Sequence, residues 1–218
     1  MFYTRNCLHR RACQHKVVNN IELMITDAFV KANPHIKFQG SGGNEYTMST
    51  AIDDMEAYTK LTDHVFDQIL YSPLPDLAEA REILQSVTKQ HLYRFVGQTK
   101  AGFNVNIPKD ELENDERAIV DVISMHWGLM ENNPMDHVRY YKKRTPDVAS
   151  PSPRDQVTEI PLPERFAEKW IRVYYRARND PAAVMIFKDR FVIWCNTHHY
   201  QNPMISVEDE DEIPPVDN

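Results

Sequence analysis

The 218 residues, 42% of them hydrophobic, suffice for a buried core and exclude a wholly disordered chain. No run approaches the roughly 20 apolar residues of a membrane span, and the polar, basic first residues are unlike a signal peptide, so the expectation is no membrane partner and residence in nucleus or cytoplasm. Of the 32 acids, six lie in residues 201–218, which hold none of the 25 Lys and Arg, so a near-neutral body precedes an acidic tail.

Residues 4–32 read as one long helix, because Val17, Ile21, Met24, Ile25, Ala28 and Phe29 recur at helical spacing and Asn33-Pro34 stops the run. Residues 36–38 and 46–49 flank Gly40-Ser41-Gly42-Gly43 as a short hairpin. A second long helix is predicted over 52–70, with Met55, Tyr58, Leu61, Val65, Phe66, Ile69 and Leu70 on its apolar side, and a third over 77–87. Residues 91–96 turn strand-like, Gly97 closing the run. Residues 103–107, 118–125 and 138–142 are β-prone, 109–117 a charged connector and 147–153 a loop. Pro163 opens a predicted helix to about Arg178, and Pro181 another to about His198 that buries Val184, Ile186, Phe187, Phe191, Val192 and Trp194. Residues 201–218 are expected to be disordered.

The front of the chain carries the main chemical signal. Arg5, His9, Arg10, Arg11, His15 and Lys16 all precede the first acid, Glu22, which suits an anionic partner. On an ideal helix Arg5, His9 and Cys13 fall within roughly 80° of one another, and a forked guanidinium with an imidazole one turn away fits polyphosphate oxygens. His15 and Lys16 reach different directions, so one helix could touch two anions. A solvated basic face, or interhelical ion pairs, accounts for the same spacing, which by itself does not identify a ligand.

Other motifs are less specific. The glycine run lacks the Gly-Lys-Ser/Thr of a phosphate loop and reads as a turn. His198-His199 has no partner ligand placed by sequence and reads as surface. Trp170, Tyr174 and Tyr175 beside Arg172, Arg176 and Arg178 fit either single-stranded nucleic acid or helix packing with a basic outer face. Cys7, Cys13 and Cys195 are odd in number and lack metal-ligand spacing, which predicts reduced thiols, with Cys195 in the core.

Longer blocks carry a resemblance. FYTRNCLHRRACQHK at 2–16, MITDAF at 24–29, STAIDDMEAYTKLTD at 49–63, AREIL at 80–84, VDVIS with the nearby NPMDHV at 133–138, and PERFAEKWIRVY at 163–174 resemble, in order, the SAM-and-HD-domain-containing deoxynucleoside triphosphate triphosphohydrolases. The resemblance implies a C-terminal portion with an α+β fold. Residues 1–98 would be a mainly helical remnant of the HD-domain lobe, residues 99–200 a smaller mixed α+β regulatory and oligomerisation lobe, and 201–218 a tail. It implies substrate-triphosphate contacts at Arg5 and His9, with Cys13 standing where the family has a tyrosine against the nucleoside. It also implies an allosteric, tetramer-forming nucleotide at His15, Lys16 and Val17, with Arg94 and Lys143 on its phosphates across a subunit interface. Gln90 stands where the family has an arginine.

The family acts on dNTPs with a divalent metal (Zn, Fe or Mg), and GTP or dGTP with a second dNTP assembles its active tetramer. Its metal set includes a His-Asp dipeptide, absent here; Asp63-His64 and Asp136-His137 have the reverse order. The expectation is therefore no catalytic residue and no metal ligand within this chain, inactivity alone, and assembly as a homotetramer or with a full-length relative. A decoy module or a single-stranded nucleic-acid binder are the alternatives.

Overall fold

The computed structural model describes residues 2–151, 163, 165–176 and 180–205, which fall into two compact units, residues 16–94 and residues 2–15 with 95–205. The fold is mixed α+β. The division lies between Arg94 and Phe95, and it sets residues 2–15 with the later, sheet-bearing part of the chain.

The unit of residues 16–94 is built on α2 (Lys16–Ala32) and α5 (Ala78–Thr88), which pack together around Ala28, Ala32, Leu77, Ala80 and Leu84. Alanines on the facing sides let the two backbones approach while Leu84 and Ile69 fill the space between helices. Asn20 Nδ2 donates to the Tyr93 carbonyl at 2.7 Å and the Tyr93 hydroxyl to Asp27 Oδ2 at 2.9 Å, tying the end of this unit back onto α2. The expected hairpin forms as β1 (Phe38–Gln39) against β2 (Glu45–Tyr46), its turn held by positive φ at Gly42 and Gly43.

The predicted helix over 52–70 is instead a 3₁₀ turn at Ala51–Asp53, α3 (Met55–Lys60) and α4 (His64–Leu70). Asp54 is extended and accepts from Ala57 N at 2.9 Å, starting α3 afresh, and Leu61 is extended at its end. Met55 and Tyr58 consequently face solvent rather than the core.

The other unit holds a four-stranded sheet in the order β4-β7-β3-β8, from β3 (Arg94–Ala101), β4 (Ala118–His126), β7 (Ala167–Tyr175) and β8 (Gln201–Ile205). The short α6 (Asp110–Glu113) precedes β4, and α7 (Pro181–Thr197) packs Val184, Phe187, Phe191 and Trp194 onto Val120, Ile171, Val173 and Tyr175. Ile186, expected in that core, is exposed, and Val192 is half-buried. β5 (Tyr140–Lys142) and β6 (Thr145–Ser150) form a separate exposed ribbon.

Four further expectations give way to what the structure shows. The helix predicted from Pro163 is the strand β7, whose run Ile171-Arg172-Val173-Tyr174-Tyr175 is buried on both faces as a central strand requires. Residues 145–150, read partly as loop, pair with β5, and residues 103–107 are not a strand. Residues 201–205 of the expected disordered tail are β8, while the rest of the tail, residues 206–218, and loop residues 152–153 lie outside the described residues.

Candidate functional site

The long first helix is not continuous. α1 (Phe2–Leu8) passes into a π-helical turn, His9–Cys13, and Gln14 and His15 break the backbone before α2. The Gln14 amide donates to the His9 carbonyl at 2.7 Å, five residues back, and the His15 amide to Ala12 at 3.1 Å. No residue of α1 or the π turn is buried, so no apolar stripe holds the segment to ideal helical register. The ideal-helix spacing that grouped Cys13 with Arg5 and His9 therefore does not extend past His9.

An ionic cluster ties the segment to the sheet. Register pairs Met125 with Glu168, Ile123 with Trp170 and Asp121 with Arg172, so Glu168, Trp170 and Arg172 share one sheet face, opposite the face of Val173 and Tyr175 under α7. On that face Arg10 forms an ion pair with Glu168 Oε1, and Lys100 Nζ lies 3.0 Å from Glu168 Oε2. The Trp170 indole N–H donates to Glu168 Oε1 at 2.9 Å, with Lys100 Nζ 4.5 Å and the Arg10 guanidinium 5.3 Å from its ring centre. Burial pushes the Glu168 carboxyl up, but the Trp170 and Lys100 hydrogen bonds and the Arg10 charge together hold it below its ordinary value.

Beside this cluster is a cavity of about 300 Å³, walled by Tyr3, Trp127 and Phe166 and edged by Arg10, Arg11 and Arg165. Trp127 meets Phe166 edge-on at 5.6 Å and Tyr3 at 6.1 Å between ring centres.

Within the same unit Arg5 is exposed and its Nη1 is 3.5 Å from the His126 carbonyl, a long contact that leaves the guanidinium largely available; His9 is half-buried and Cys13 exposed. His15 is exposed just before α2, and Lys143 is exposed in the turn between β5 and β6. Lys16 and Val17 open α2 and Arg94 is half-buried at the start of β3, all three in the other unit. Gln90 follows the C-cap of α5, Lys89, with φ of 58°. Among the described residues no three His, Cys, Asp or Glu side chains gather as metal ligands, and no helix is long and apolar enough to cross a membrane.

The remaining motifs resolve simply. His198 Nε2 is 2.7 Å from Glu111 Oε2, joining α7 to α6, and Cys195 is buried. Trp170 and Tyr174 lie on one sheet face and Tyr175 on the other, so the three rings do not make one stacking platform; Arg178 lies outside the described residues. Glu168 and Lys100 escaped the sequence reading. A carboxylate and an indole two residues apart share a face only on a strand, and that segment carries a helix-start signal at Pro163.

No family model matches the chain. Its similarity to individual proteins defines the class: along nearly its whole length it is a part-length relative of the deoxynucleoside triphosphate triphosphohydrolases. In particular it is 46% identical over 99% of its residues to deoxynucleoside triphosphate triphosphohydrolase SAMHD1 of Xenopus laevis, 46% over 99% to that of Danio rerio and 43% over 99% to that of Homo sapiens. The chain spans about 36% of the length of the Xenopus relative, which is consistent with a C-terminal portion.

Proposed function

We propose that the chain supplies the phosphate- and nucleotide-contacting surface of a dNTP triphosphohydrolase, with Arg5 and His9 meeting the substrate triphosphate. The observation that carries this is the similarity across 99% of the chain to proteins named for that reaction, with Arg5 and His9 on an exposed basic segment. The guanidinium supplies forked donors to phosphate oxygens and the imidazole a further donor. His15, Lys16, Val17, Arg94 and Lys143 are assigned to a GTP or dNTP activator in a tetramer, and Gln90 in place of a basic residue lowers the positive charge available to its phosphates. Cys13 offers little ring-like area to a nucleoside, so phosphate contacts dominate affinity.

The described residues do not offer the ligand set the family's divalent metal requires, and no hydrolytic step is assigned to this chain's own side chains. The test is dGTP binding by the purified chain, alongside assay for inorganic triphosphate in the presence of GTP and divalent metal. Binding without triphosphate release, weakened about tenfold or more by Arg5→Ala, is expected. Absence of binding overturns the phosphate assignment, and turnover overturns the non-catalytic one.

A further inference from the structure

Glu168 is the single carboxylate on which Arg10, Lys100 and the Trp170 indole converge. Arg10 directly follows His9 and lies five residues after Arg5, inside the π turn that closes through the His9 carbonyl. That turn buries nothing, so its conformation depends on polar anchors. The Arg10–Glu168 pair anchors the turn to the sheet, while among the described residues Arg5 makes the long contact to His126.

The partners of Glu168 divide the labour. Lys100 from β3 occupies Oε2, and Trp170 from its own strand occupies Oε1, so two partners besides Arg10 orient the carboxylate. Both cations also lie against the Trp170 ring, which fixes where the Arg10 guanidinium can stand. A half-buried carboxylate held by Lys100 and the Trp170 indole N–H is a receptor for a further cation, and here that cation is Arg10, from the segment bearing Arg5 and His9.

We propose that Glu168 is a positioning residue: through Arg10 it sets the π-helical turn that presents Arg5 and His9 to a nucleotide triphosphate. This rests on the function proposed above and adds the device that pre-organises it. The charge on Glu168 is used to hold a cation of the protein, not one of the ligand.

The test measures dGTP affinity and amide hydrogen exchange on the whole chain. Glu168→Gln keeps an acceptor for Trp170 but removes the charge; Arg10→Ala, on an exposed side chain, removes the other partner and serves if the first variant fails to fold. Each is expected to weaken dGTP about tenfold, while Arg10→Lys, retaining the charge, stays within about threefold of wild type. Exchange should quicken at Gln14 and His15, whose amides close the turn, with β7 and α7 unchanged. Unchanged exchange at those amides, or full dGTP affinity despite faster exchange, overturns the assignment while leaving the proposed function intact. A wild-type chain that fails to bind dGTP overturns the proposed function and this assignment with it.

Discussion

The Tyr175 hydroxyl donates to Asp115 Oδ2 at 2.9 Å, joining the end of the central strand to the turn that begins its neighbour. Asp115 also receives a two-point contact from the Arg117 guanidinium, Nε to Oδ1 and Nη2 to Oδ2, both at 3.0 Å, and the Arg117 amide at 3.0 Å. Ala118 and Tyr175 are paired in register immediately above, so this carboxylate closes the β4–β7 ladder at one end. Arg117 lies over the Tyr175 ring at 5.1 Å, completing a compact polar lock beside the α7 core.

Removing only the hydroxyl isolates one strand of that lock. Tyr175→Phe keeps the ring against Phe187, 5.2 Å between centres, and costs one hydrogen bond, about 0.5–1.5 kcal/mol. Asp115→Ala strips acceptors from two side chains and an amide, and should cost about 1.5–3 kcal/mol. Urea unfolding of both variants checks the order; a larger loss for Tyr175→Phe would contradict it.

Gly97 is needed for close approach, not for its conformational range. A Cβ there would stand 2.8 Å from the Met204 carbonyl oxygen and 2.8 Å from Phe191 Cε1, one a backbone atom of β8 and the other a fully buried ring. Gly97→Ala must therefore push β8 away or displace Phe191, at about 1–3 kcal/mol. The loss should appear as a lower urea midpoint, with faster amide exchange in residues 201–205. A variant as stable as wild type would show that β8 gives way freely.

The helices that bury a regular stripe were legible in the sequence: α5 and α7 are near their predicted limits, and α2 stops where expected, at Ala32, although it begins at Lys16 and not at residue 4. β7 was not, since a strand buried on both faces shows no alternation and Pro163 imitates a helix start. The exposed basic character of the segment bearing Arg5 and His9 was legible too, and their types, spacing and the family resemblance are the grounds on which phosphate contacts are proposed for them. The π turn that begins at His9 was not legible, because its anchor is Arg10 meeting Glu168, 158 residues away in sequence. Local pattern carries no information about such a pair.

Thiol reactivity should separate the three cysteines sharply. Cys195 is wholly buried on the inner face of α7, and that burial pushes its thiol up to about 12, outweighing the opposing hydrogen bond with Thr99. Cys13 is exposed and Cys7 partly so. Since the thiolate is the nucleophile, an aromatic disulfide reagent near neutral pH should modify Cys13 readily, Cys7 more slowly, and Cys195 only on unfolding. Peptide mapping after short labelling gives the order, and early labelling of Cys195 would mean that the α7 core opens in the native state.

The same lock at Asp115 makes stability depend on acid in a defined direction. The Arg117 hydrogen bonds, reinforced by the Arg117 amide and the Tyr175 hydroxyl, outweigh burial and hold the folded carboxyl well below its ordinary value. Because the folded pKa is depressed, the unfolded chain takes up the proton first as pH falls. The stabilisation is fully present above the ordinary aspartate value near 3.9 and is lost as pH drops toward the folded one. In that window one site contributes a slope of at most about 1.4 kcal/mol per pH unit. Glu168, also depressed, contributes in the same sense at acid pH and is untouched by changes at Asp115. Urea unfolding of wild type and Asp115→Asn from about pH 2 to 6 should therefore give two curves that run parallel above about pH 5 and converge below about pH 4. Parallel curves throughout would show that Asp115 is no better stabilised as a carboxylate in the folded chain than in the unfolded one.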